Sequence, residues 1–135
     1  MWQRIKASAK SEKGFTLVEL LAVIVILGIV AGIAVPSIGG IINKAENDAK
    51  VAEGISIVNA AKLYVTSNNP SAATTTLTKT ELDNYLDNVK NDTYTVTVKK
   101  DQSSGKYSYE LKNHNSVRIV GDKNATATEK ELLEY

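Results

Sequence analysis

At 135 residues the chain has room for one small domain, and its formal charge of +1 gives no overall basic excess of the kind that nucleic-acid binding uses. It contains no cysteine, which excludes disulfide staples, thiolate catalysis and cysteine-ligated metal. A small domain without such staples must hold itself together by packing or by assembling with copies of itself.

The chain opens on a basic segment. Arg4, Lys6, Lys10 and Lys13 stand against Glu12 alone, and beyond Gly14 acidic residues slightly outnumber basic ones. From Leu20 to Val35 there is no polar side chain, and apolar character resumes after Pro36 and Ser37 with Ile38, Ile41 and Ile42. A helix over Leu20 to Ile42 would be about 34 Å long, enough to cross a bilayer core. The basic residues ahead of it predict a cytoplasmic N-terminus, with the remainder outside. Glu19 sits at the front of this run, where burial of a carboxylate at bilayer depth costs about 2.5 to 3.5 kcal/mol. It needs a partner, and the neighbouring sequence offers none. A secretory signal peptide cut after Ala34, using the small residues Gly32 and Ala34, is one alternative reading. The apolar run is longer than a signal core, however, and both this reading and a plain single-pass anchor leave Glu19 unexplained.

Gly14, Phe15 and Glu19, at the head of a long apolar run and behind a short basic leader, resemble the type IV pilin superfamily. Prepilins of that family carry a leader ending in glycine, then phenylalanine, then a glutamate at the fifth mature position. The resemblance implies cleavage between Gly14 and Phe15 by a membrane prepilin peptidase and methylation of the new amino group on Phe15. It also implies that Glu19 meets the N-terminal amine of a neighbouring subunit and sets the register of a growing filament. A buried charge pair selects register better than it adds stability, because breaking it strands a charge at about 3 to 5 kcal/mol.

The helix is expected to run from Phe15 to about Ser67. Gly28, Gly32 and Pro36 weaken it, since interior glycine costs about 1 kcal/mol against alanine and proline about 3. Gly28 and Gly32 also form a small-xxx-small pair suited to helix contact. The family resemblance adds that Gly28 and Pro36 fall where pilin helices extend in the filament. After Ile42 the pattern becomes amphipathic, with one stripe of Ala45, Ala49 and Ala52 and a second of Val51, Ile55, Val58, Ala61 and Val65. Two stripes suit a helix that packs on its own head and on neighbours; a single broad core face is the alternative.

Residues Asn68 to Ala73 and the threonines that follow, through Thr78, predict a polar connection. Thr78 and Glu81 form a capping-box pattern ahead of Leu82, Tyr85, Leu86 and Val89, predicting a short helix from Lys79 to Val89. The period then changes to two. Tyr94, Val96 and Val98, then Tyr107, Tyr109 and Leu111, then Val117 and Ile119 predict three antiparallel strands separated by turns at Asp101 to Gly105 and Asn113 to Asn115. Thr128 to Tyr135 suggests a short helical turn. His114, the one histidine, reads as a solvated turn residue. Asp83, Asp87, Asp92, Asp101 and Asp122 lack a calcium-loop spacing, and Lys99 and Lys100 beside Tyr107 and Tyr109 suit edge protection better than contact with DNA. Asn91 and Asn124 begin glycosylation-like triplets of little weight.

The expected fold is therefore α+β: a long N-terminal helix, first transmembrane and then amphipathic, packed on a small antiparallel three-strand sheet in a pilin-like layout. The expected segments are a cleaved leader at 1–14, an apolar helix at 15–42, its amphipathic continuation at 43–67 and a head at 68–135. No nucleophile, base and orienting group can be assembled, so no enzymatic activity, cofactor or metal is expected. The resemblance implies the major subunit of a type IV pilus, held in the cell membrane and then assembled into a surface filament for adhesion, twitching motility or DNA uptake. Its partners would be copies of itself, the prepilin peptidase and methyltransferase, a platform protein and a cytoplasmic ATPase; nucleic acid enters only with DNA uptake. A competence or type II secretion pseudopilin is the nearest alternative, and a membrane-tethered binding module is one of another class. Many Gram-negative pilins have a C-terminal disulfide loop, which this chain cannot form.

Overall fold

The computed structural model describes residues 2–121 and 125–135, with side chains from Lys13 onward. The chain falls into two units, Met1–Asn43 and Lys44–Tyr135. A single helix, α1 at Trp2–Asn68, supplies the described part of the first and the opening of the second.

In the first unit every large apolar side chain from Phe15 to Ile42 is exposed, from 72% at Ile33 to 50% at Ile38. Pro36 lies within the helix without ending it. Proline has no N–H to donate to the carbonyl four residues back, here that of Gly32, and its ring crowds that carbonyl. By length and composition the helix is able to cross a membrane.

The second unit is an α+β head. The stretch of α1 from Lys44 onward buries Val51, Ile57, Val58, Ala60, Ala61 and Val65, a helical i, i+3, i+4 stripe. Ala45, Ala49 and Ala52 are exposed on the other side, so the two apolar stripes are separate faces and not one broad core face. The helix ends where Asn69 turns to φ +43° and donates its N–H to the Val65 carbonyl at 2.8 Å, a left-handed cap that Pro70 then prevents from being overrun.

The sheet is antiparallel throughout, in the order β1 (Thr74–Thr78), β2 (Thr95–Lys100), β3 (Tyr107–Lys112), β4 (Thr126–Thr128). It has four strands and not the expected three. Leu77, Val96, Leu111 and Ala127 are register partners across all four and are essentially inaccessible. They form the inner row on which α1 packs. The other face carries Thr76, Thr97, Glu110 and Thr128, and the Lys99–Glu110 pair at 2.7 Å lies across it.

Three expectations about the head are corrected. The threonine run is edge strand β1 and not a connection, because β-branched side chains favour the pleated backbone even where only Leu77 is buried. Helix α2 covers only Lys79–Leu82, followed by a 3₁₀ turn at Asp83–Tyr85, and the chain is extended by Leu86. Tyr85, Leu86 and Val89 still pack against the core, so their spacing marked burial without a continuous helix. The third predicted strand is instead a helical turn, α3 at Val117–Val120, following Asn113 at φ +58°. The expected C-terminal turn is α4 at Glu129–Leu133.

Candidate functional site

The residues singled out at the N-terminus all lie on α1. Gly14, Phe15 and Glu19 are exposed, and Phe15 and Glu19 are one turn apart, on the same side of the helix. Among the described residues no cation pairs with Glu19. An added Cβ at Gly14, Gly28 or Gly32 would meet nothing within 4 Å, so these glycines answer no packing need among the described residues. Among the described residues the first unit therefore presents a largely apolar surface, with Glu19 as an unpaired carboxylate near its start. A soluble monomer rarely exposes an apolar area of this extent, and lipid or other subunits must cover it.

The head holds a second cluster of titratable groups. His114 was expected in solvent, yet it is 3% exposed. Its Nδ1 lies 2.7 Å from the Ser116 hydroxyl and accepts the Ser116 N–H at 3.2 Å, while Nε2 lies 3.5 Å from the Glu53 carboxylate on α1. Carboxylate, imidazole and hydroxyl thus stand in a row, contrary to the expectation that none could be assembled. The row does not make a hydrolase site, because Ser116 is wholly buried and a substrate carbonyl has no approach to its Oγ. Burial depresses the His114 pKa below 6.5, with the Glu53 charge opposing in part. Sequence could not reveal this site: Glu53 and His114 are brought together only by the packing of α1 on the sheet.

The remaining candidates are engaged structurally. Lys99 pairs with Glu110, and Lys100 lies over the Tyr107 ring at 5.4 Å. Asn91 donates to the Asn113 carbonyl at 3.0 Å and accepts from Thr93, whereas Asn124 and Asp122 lie outside the described residues. Among the described residues, no group of three or more His, Asp or Glu side chains is placed to hold a metal.

An apolar helix long enough to cross a membrane, continuing into a small α+β head that buries one face of it, defines the class of layout. The family described as prokaryotic N-terminal methylation motif matches residues 9–35. Type II secretion system core protein G of Aeromonas hydrophila is 40% identical over 60 residues, 44% of this chain and 42% of that protein. The corresponding protein of Pectobacterium carotovorum subsp. carotovorum is 39% identical over 62 residues, 46% of this chain and 40% of that protein. Type IV major fimbrial protein FimA of Dichelobacter nodosus is 37% identical over 57 residues, 42% of this chain and 33% of that protein. Over its N-terminal part the chain thus carries the prokaryotic N-terminal methylation motif and is similar to proteins of the type IV pilin and pseudopilin superfamily. The matched stretch spans about two fifths or less of each of these relatives' lengths, and no solved structure matches.

Proposed function

We propose that this chain is a structural precursor, cleaved after Gly14, N-methylated on Phe15 and polymerised through its apolar helix into a filament. The observation that carries the reading is the unpaired Glu19 one turn beyond Phe15, at the start of a helix exposed along its whole apolar length. Cleavage leaves the helix in the membrane and creates a positive amino group at Phe15, which supplies the missing partner from a neighbouring subunit. The head lies outside the membrane before assembly and on the filament surface after it. Prepilin peptidase, platform protein and cytoplasmic ATPase are the partners this route requires. Gly28, Gly32 and Pro36 serve as the points where the helix yields as subunits pack.

Glu19→Ala tests the assignment. The variant should insert into membranes as wild type does and fail to form filaments, scored by membrane fractionation and by electron microscopy of sheared surface material. Filaments of normal number and length from Glu19→Ala would remove the proposed role of this carboxylate.

Two uses of the filament are distinguished by measurement. A surface pilus for adhesion, twitching or DNA uptake fits the likeness to the fimbrial protein, and a short secretion filament fits the likeness to core protein G. A deletion strain that lacks surface fibres supports the first, and one that retains exported enzymes inside the envelope supports the second.

A further inference from the structure

His114 follows β3 and leads into α3, and its ring performs the part of an Asx turn: Nδ1 accepts the backbone N–H of Ser116, two residues on. That bond, together with the Glu53 carboxylate beside Nε2, favours the tautomer in which Nδ1 also accepts the Ser116 hydroxyl proton at 2.7 Å. With the Nδ1 lone pair directed at a donor, the ring is neutral and its proton is on Nε2, which is buried without a hydrogen bond and lies 3.5 Å from the Glu53 carboxylate. Next to Glu53 stands Gly54, where a Cβ would fall 2.4 Å from the Ser116 Oγ. The imidazole therefore sits between the turn it organises and the helix on which that turn rests.

We propose that this contact is an acid-operated latch: protonation of His114 releases the Ser116–Gly121 segment from the face of α1. The second proton can enter the ring only at Nδ1, where the Ser116 hydroxyl at 2.7 Å turns to accept it while the Ser116 N–H at 3.2 Å confronts it. The turn then loses its acceptor and a buried N–H is left unpaired. The imidazolium gains an ion pair with Glu53, which offsets only part of the cost of charging a buried ring.

The groups that face His114 can be named element by element. Glu53 comes from α1, and the Tyr94 ring lies just ahead of β2 with its centroid 6.4 Å away. Arg118 of α3 lines the same groove, and Asp83, Lys79 and Asp92 are the charges around Tyr94. Burial outweighs the Glu53 charge and holds the His114 pKa below 6.5. Since the folded-state value is the depressed one, the latch is at full strength above pH 6.5 and weakens as pH falls below it. The inference is independent of filament formation.

The test uses the full-length chain in detergent micelles, with the His114 ring followed by NMR. In the same sample, amide protection factors, corrected for the intrinsic pH dependence of exchange, are measured between about pH 7.5 and 4.5. Ser116, Val117, Ile119, Val120 and Gly121 should lose protection by up to about tenfold per pH unit below 6.5, the slope for one proton, while the β2–β3 amides stay protected. Glu53→Gln, which lowers the His114 pKa further, should deepen the loss. His114→Asn keeps an Asx acceptor without the titration and should flatten it. Protection that is unchanged as the ring titrates, a ring pKa at or above 6.5, or an equal loss in His114→Asn would overturn the proposal. Should His114→Asn not fold, equal losses in wild type and Glu53→Gln would overturn it as well.

Discussion

At Gly54 a single missing side chain decides how closely α1 approaches the sheet. A Cβ there would lie 2.4 Å from the Ser116 Oγ, 3.0 Å from its Cβ and 3.2 Å from Leu111 Cδ2, and Leu111 belongs to the fully buried inner row. Gly54→Ala gains about 1 kcal/mol of helix propensity, but overpacking a filled core costs about 1 to 3 kcal/mol. Where neither Ser116 nor Leu111 has room to retreat, the loss prevails. The variant should melt several degrees below wild type in micelles, and an unchanged or higher melting temperature would show that the 114–117 turn yields freely. Nothing in the sequence marked this glycine, because the residues it accommodates lie about 60 positions further along the chain. The reading of His114 failed for the same reason. Beside asparagines it looks like turn chemistry, and it is in a turn, but one pressed against α1.

The β2–β3 hairpin shows an element whose local chemistry was legible. Its turn was predicted at Asp101 to Gly105, and there Gly105 takes φ +69° while Asp101 and Lys106 are joined by a backbone hydrogen bond of 2.8 Å. The Asp101 carboxylate accepts from the Ser104 and Ser103 hydroxyls and from the Ser103 N–H, bonds that lower its pKa from 3.8 to about 2. A depressed folded-state pKa means that the turn's hold is complete above 3.8 and is lost as pH falls toward 2. Amides of Ser103 to Lys106 should therefore lose protection in that window, and Asp101→Asn should shift the loss to neutral pH; protection that persists unchanged in Asp101→Asn would show that the charge is not what holds the turn. Capping chemistry was legible too. Glu81 reaches back to the Thr78 N–H at 2.7 Å as its spacing predicted, and the same pattern at Thr128 and Glu131 starts α4. The strand count was not legible. β1 lacks alternation and β4 is three residues long with Ala127 as its buried member, so each becomes a strand only by pairing with a neighbour that sequence does not identify. Alternation at Val117 and Ile119 misled because a four-residue helical turn also buries Val117.

For the molecule as a whole, the change of character along α1 was legible in the sequence: one stretch is apolar all round and the next is amphipathic, with two stripes or one broad core face as the alternatives that the structure decides. The structure gives each stretch its environment. Val51, Val58, Ala61 and Val65 are buried within the head, while Ala45, Ala49 and Ala52, like the large apolar residues from Phe15 to Ile42, remain exposed. A surface of that size is stable only against lipid or other subunits, and the proposed life in two settings, membrane and filament, would supply both. The central claim is that a new amino group at Phe15 completes the site that Glu19 begins. It is tested most directly by intact-mass and N-terminal peptide mass spectrometry of the mature protein isolated from its producing cells. The account predicts a chain that begins at Phe15 and carries one methyl group on its α-amine; a mature chain that begins at Val35, or one that retains the basic segment ahead of Phe15, would contradict it.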